Sequence, residues 1–78
     1  MPSPFFSRLL RTAARYVGEE TANGVLSRRL KHTAATPDTF GPPDLSQMIL
    51  PLSAALELYV MDQGKRAELR NSLYALVG

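Results

Sequence analysis

The chemistry available to this chain is concentrated in its arginines, which make up seven of its nine basic residues. A guanidinium offers a planar fork of N–H donors that fits a carboxylate or a phosphate at two points. Arg8, Arg11 and Arg15 recur at helical spacing, and Arg28, Arg29 and Lys31 follow in a short run. These six form the candidate site for an anion, whether an acidic patch on a protein or a phosphate backbone. Residues 1 to 35 carry them against Glu19 and Glu20, a balance of +4. Residues 36 to 78 set Lys65, Arg66 and Arg70 against Asp38, Asp44, Glu57, Asp62 and Glu68, a balance of −2. The first half is therefore the half that would seek an anion. The competing account of the same line is a solvated helix face opposite a buried stripe.

Catalysis finds little support. A nucleophilic site needs a base held against a hydroxyl or thiol and oriented by a third group. His32 is the single imidazole, it follows Lys31 in a basic run, and there is no cysteine. It reads as a solvated surface histidine. Zinc would require three or four Cys or His ligands. Calcium or magnesium would require clustered carboxylates, and Glu19 with Glu20 is the one adjacent pair. The five glycines are scattered singly, so no phosphate-cradling loop is present. The expectation is a non-enzymatic chain with no cofactor, no metal and no small-molecule substrate.

The elements that position these residues are helices. Ser3 before Pro4 is a helix start, a hydroxyl able to cap free amides ahead of a ring preset for the first helical position. Phe6, Leu9, Leu10, Ala13 and Val17 then make an apolar stripe, with Arg8, Arg11 and Arg15 on the opposite side. A straight continuation would put Leu26 and Leu30 on the arginine side, so a break is expected between Gly18 and Gly24. Asn23 would cap a second, shorter helix from about Gly24 to Thr33. From Thr33 to Pro43 the composition turns to Thr, Ala, Pro, Asp and Gly, a connector in which Phe40 is the expected apolar anchor. Asp44, three residues before Gln47, has the spacing of a helix start. Pro51 either kinks the following element or starts a helix after a turn from 44 to 50, and the two apolar stripes that cross it in phase favour the kink. Asp62, Gln63 and Gly64 resemble a helix end with a left-handed glycine, and a last helix is expected from about Lys65 to Val77 with the stripe Leu69, Leu73, Leu76 and Val77.

The element from 44 to 63 is unusual in being apolar on two sides. Leu45, Met48, Ile49, Leu52, Leu56 and Tyr59 form one stripe. Leu50, Ala54, Leu58 and Met61 form another about half a turn away, at ~100° per residue. Ser46, Ser53 and Glu57 are the narrow line suited to water. A helix apolar nearly all round is one that something else encloses. The favoured packing account sandwiches it between the first and last helices. The functional account makes Leu50, Ala54, Leu58 and Met61 a patch that pairs with its own copy or receives another protein's helix.

The expected fold is all-α, a small bundle of three to four helices with a C-terminal helical hairpin and no strands. It forms one domain over residues 1–78, with a basic helical half at 3–33, a connector at 34–43 and the hairpin at 44–77. At this length folding buries only about 60% of the surface of the unfolded chain, so partner binding or oligomerisation is a natural supplement. Arg8, Arg11 and Arg15 interrupt any apolar run near the start, and no run of about 18 apolar residues exists, so a cytoplasmic protein is expected. The expected function is a protein–protein interaction or regulatory role through apolar helix faces, with a protein partner or its own copy. Two alternatives stand beside it. One is nucleic-acid binding by the arginine-bearing half, whose helix, turn and basic helix have the outline of a helix-turn-helix without its short turn. The other is binding to a membrane surface through Phe5, Phe6, Leu9 and Leu10.

Overall fold

In the computed structural model, which describes residues 1–78, four helices follow one another: α1 Pro4–Val17, α2 Glu19–Leu30, α3 Pro42–Glu57 and α4 Gln63–Val77. No strand is present. Helix α1 packs on α2 and α4, and α3 packs on α4 and α2, so the four form a ring in which α1 and α3 meet only slightly and α2 and α4 do not meet. The expected sandwich of α3 between the first and last helices is therefore corrected, while the α3–α4 hairpin is present. The Cα radius of gyration of 11.3 Å matches the ~11.5 Å expected of a compact chain of this length.

Helix α1 begins as its sequence implies. Ser3 Oγ accepts the Phe6 amide at 3.0 Å and donates to the Phe40 carbonyl at 2.7 Å, while the Ser3 amide donates to the Pro37 carbonyl at 2.8 Å. One residue thus caps a helix and pins the long connector to it. Phe40 lies in the core at 2% exposure, stacked on Phe5 at 6.0 Å and edge-on to Phe6 at 5.5 Å between ring centroids. Phe6, Leu9 and Ala13 are buried and Leu10 is half-buried against the same core. Of the four residues offered above as a membrane anchor, Phe6 and Leu9 thus lie in the protein's own interior, and Phe5 and Leu10 are half-buried against it.

The break after α1 falls at Gly18 alone. Its φ of 91° lies where a side chain would be strained, and it turns the chain directly into α2. Glu19 and Glu20 occupy the first turn of that helix, where carboxylates oppose the amide end of the dipole. Asn23 and Gly24 are exposed inside α2 rather than at its start. A mid-helix glycine costs about 1 kcal/mol relative to alanine. Burial of Ala22, Val25, Leu26 and Leu30 on one face outweighs that cost, at ~1.5–3 kcal/mol for each large aliphatic side chain. The same comparison explains why the local capping preference of Asn23 does not decide the boundary.

Helix α3 starts earlier than expected. Gly41 precedes Pro42 at the first helical position, and Asp44 sits in the third, its Oδ2 accepting the Gly41 amide at 2.8 Å. Asp44 is thus the reciprocal member of the cap and not the cap itself. The helix runs through Pro51 without interruption. Gln47 and Pro51 are both exposed, so the backbone bond that proline removes lies on the outer side of the helix. Leu45, Met48, Ile49, Leu52 and Leu56 fill the core as one stripe.

The third boundary also differs. Helix α3 ends at Glu57, and Asp62 is the N-cap of α4, its Oδ1 accepting the Lys65 amide at 3.0 Å. Gly64 is helical, with no left-handed φ. A Cβ there would stand 3.0 Å from Asp62 Oδ1, so the glycine leaves room for the capping carboxylate. No helix is long and apolar enough to cross a membrane.

Candidate docking surface

The second apolar line does not enter the core. Leu50 is 71% exposed, Leu58 78% and Met61 91%, and Ala54 is exposed beside them. Leu50 and Ala54 stand on the outer side of α3. Leu58 and Met61 lie beyond its last turn, in the segment leading to α4. Tyr59, assigned above to the inner stripe, is 54% exposed, because the helix stops before helical geometry can carry it inward.

This turn is a held structure. The amides of Tyr59 and Val60 donate to the carbonyls of Leu56 and Glu57, both at 3.1 Å, tightening the helix end by i to i−3 bonds. Val60 points inward and is buried, and its carbonyl accepts a short hydrogen bond from Arg66 Nε. Asp62 then caps α4, and the Arg66 amide donates to the Asp62 carbonyl at 3.0 Å. With Val60 fixed inside, its neighbours Leu58, Tyr59 and Met61 are directed outward.

A polar lock stands behind the turn. Arg70 grips Glu57 with Nη2 to Oε1 at 2.6 Å and Nε to Oε2 at 3.3 Å, while Ser53 Oγ donates to Oε2 at 2.6 Å. The Arg70 hydrogen bond holds the Glu57 carboxyl below its ordinary range, and Ser53 adds to this against the opposing effect of burial. The same bond to Glu57 raises the Arg70 guanidinium above its usual value. Ser53 is buried and Glu57 partly so, which corrects the expectation that both face water. Only Ser46 of that line is exposed. The pairing was not legible locally, because Arg70 comes from the helix that docks alongside.

Two clefts flank the turn and share Tyr59. One, of about 560 Å³, is bordered by Arg15, Tyr16, Tyr59, Met61, Asp62, Lys65 and Glu68. The other, of about 160 Å³, is bordered by Val25, Arg28, Arg29, Ala55, Leu58 and Tyr59. The six cations singled out in the sequence are consequently dispersed. Arg15, Arg28 and Arg29 border the apolar turn. Arg11 lies in a separate depression with Ser7, Leu10 and Glu19, and Lys31 in another with Leu30 and Pro37. Arg8 lines none of these clefts, and its carbonyl accepts the Thr12 hydroxyl. None of the six forms an ion pair; the three pairs present are the amino terminus with Asp38, Lys65 with Glu68, and Arg70 with Glu57. The helix-turn-helix outline is also absent, since α1 and α2 are joined by Gly18 alone.

Comparison with protein-family models, with curated proteins and with solved structures finds no match.

Proposed function

We propose that this chain is a non-enzymatic interaction module that binds a protein partner, or its own copy, through the apolar surface built from Leu50, Ala54, Leu58 and Met61 and extended by Tyr59. The observation that carries the reading is the exposure of Leu50, Leu58 and Met61, at 71%, 78% and 91%, beside a core in which the other α3 stripe is fully used. Single exposed apolar residues are ordinary on protein surfaces. A cluster of large ones on a turn whose backbone is fixed from behind is the kind of feature that marks an interaction site. Met61 adds an adaptable, polarizable contact, and Tyr59 offers a large ring at small entropic cost. The cluster lines concave clefts only at its Leu58–Met61 end, so that end is the anchor and Leu50 with Ala54 the flank.

The test is a triple substitution, Leu50→Ser, Leu58→Ser and Met61→Ser. Helicity and unfolding midpoint should stay near those of the parent chain, while a partner retained by the parent in nuclease-treated extract, or self-association seen by sedimentation, should be lost. Retention unchanged by the substitutions would refute the reading.

Nucleic-acid binding stands second, supported by the unpaired Arg8, Arg11 and Arg15 along α1. Such binding falls steeply with salt, because it releases counterions from phosphate. Affinity unaffected by salt, or by Gln at these three positions, would remove it.

A further inference from the structure

The charges around the exposed turn say more about what would cover it. Five of the seven carboxylates are already engaged within the chain. Asp38 meets the amino terminus at 3.3 Å, and Asp44 holds the Gly41 amide at 2.8 Å. Glu57 is gripped by Arg70, Asp62 caps α4, and Glu68 meets Lys65 at 3.3 Å. Glu19 and Glu20 remain, together at the start of α2, with Glu19 beside Arg11 and in neither of the clefts at the turn. Arg28 and Arg29 therefore border the apolar turn in a cleft that holds no carboxylate, and Arg15 shares the other cleft with Asp62, Lys65 and Glu68 without pairing to either acid.

We propose that the surface at Leu58, Tyr59 and Met61 docks an acidic amphipathic helix of a different protein. The apolar side of that helix covers Leu58, Tyr59 and Met61, and its carboxylates meet Arg15, Arg28 and Arg29. This rests on the docking role proposed above and adds the chemistry of the partner. A second copy of the chain fits less well, because a two-fold contact presents each surface to itself. Centred on the Leu58 cleft, which carries Arg28 and Arg29 and no carboxylate, it would bring arginines toward arginines, and like charges facing each other across an interface are costly. A phosphate backbone would satisfy the arginines and leave Leu58 and Met61 uncovered. An amphipathic helix with acidic flanks satisfies both, by the helix-in-groove mode with anchors at i, i+3 or i+4 and i+7.

The experiment selects a displayed peptide library on the folded full chain, with counter-selection on the Leu58→Ser/Met61→Ser variant. Enriched peptides should carry net negative charge and apolar residues at helical spacing. A synthetic peptide of the consensus should bind about two- to fivefold more weakly to each of Arg28→Gln and Arg29→Gln, and more weakly as salt is added. Circular dichroism on every variant confirms that the fold is retained. Enrichment of neutral or basic peptides, still dependent on Leu58 and Met61, would overturn the acidic partner and leave the docking role standing. Absence of any peptide that separates the parent from the double variant would overturn both. Dimerisation of the parent, abolished by Leu58→Ser/Met61→Ser, would overturn the hetero-partner in favour of a second copy. Binding of a fluorescent DNA duplex that survives the serine substitutions and is lost on Arg28→Gln/Arg29→Gln would assign the arginines to phosphate, and would overturn the proposal likewise.

Discussion

The connector between α2 and α3 and the turn between α3 and α4 are built from opposite kinds of residue and dispose of them in opposite ways. The long connector is polar, and it sends its one large apolar side chain, Phe40, into the core at 2% exposure. The short turn is apolar, and of Leu58, Tyr59, Val60 and Met61 it buries only Val60. Both are pinned by side chains from elsewhere. Ser3 holds the Phe40 carbonyl, and Arg66 holds the Val60 carbonyl. The difference therefore does not come from one segment being ordered and the other loose. A chain able to draw an aromatic ring in from a polar loop leaves three large apolar side chains outside a turn it has fixed with equal care. The docking role proposed for the exposed turn rests on that contrast.

The largest effect that could break this contrast is expected at Phe40. Phe40→Ala removes a ring packed on Phe5 and Phe6, and emptying such a site costs about 3–5 kcal/mol. Against the roughly 4–12 kcal/mol that ~0.05–0.15 kcal/mol per residue gives a chain of 78 residues, the variant should lose a large share of its stability. Urea titration followed by helical ellipticity measures this. A loss under about 1 kcal/mol, the size of an ordinary substitution, would mean that the connector is as dispensable as it is polar, and the comparison would lose one side.

A smaller effect sharpens the comparison by setting the helix cap beside each segment against the other. Ser3→Ala removes a helix cap, worth ~1 kcal/mol, and also the hydroxyl on the Phe40 carbonyl, worth ~0.5–1.5 kcal/mol. Asp62→Ala removes a cap alone, so about 1 kcal/mol is expected. The order of the two midpoints in the same titration is the result that matters. If Asp62→Ala proved the more damaging, the short turn would be the more tightly built of the two.

How far these features could be read from sequence differs along the chain for physical reasons. Ser3 before Pro4, the α1 stripe, the inner α3 stripe, the closing hairpin and the anchoring role of Phe40 were legible, because each rests on local capping chemistry or on periodic burial. The start of α2 directly after Gly18 and the capping role of Asp62 were not. Asn23 and Gly24 carry local preferences for a helix start, but the burial of Ala22, Val25 and Leu26 on one continuous face overrides them. Asp62 with Gly64 suits the end of one helix as well as the start of the next, and only the bond to the Lys65 amide distinguishes these. The patch Leu50, Ala54, Leu58 and Met61 was visible as a stripe, yet its exposure depends on where α1 and α4 pack. The company of Arg15 with Met61, and of Arg28 and Arg29 with Leu58, depends on tertiary structure altogether.

Acid should act on the short turn from behind. Glu57 closes α3 and its carboxyl titrates below its ordinary value of 4.5 because Arg70 and Ser53 favour the charged form. A carboxyl whose folded value is lowered stabilises the fold above its unfolded value, and that contribution disappears as pH falls through the lowered one. Glu57→Gln should therefore be less stable than the parent at about pH 7, and the gap should narrow as pH drops below about 4.5 toward the lowered folded value. Amide exchange should show the acid-induced loosening at Tyr59 and Val60 before it shows at Phe40. A gap that stayed constant from about pH 7 to about pH 3 would detach the Glu57–Arg70 lock from the stability of the turn.

The smallest expected change in stability is the most telling for function. Leu58→Ser and Met61→Ser replace side chains that are 78% and 91% exposed, so little buried area is lost on the folded side. Each should stay within about 0.5 kcal/mol of the parent, as surface substitutions do, with the denaturant slope unchanged because the area exposed on unfolding hardly changes. Had these residues belonged to the core, as the sandwich packing implied, truncation would cost several times as much. What should change is association: binding through the turn must weaken by a larger factor than stability does. An intact fold with weakened association distinguishes a surface kept apolar for a partner from apolar residues that merely remain outside. A stability loss above about 2 kcal/mol at either position, the range of buried truncations, would place that side chain in the packing of the monomer and take away the ground for a docking role.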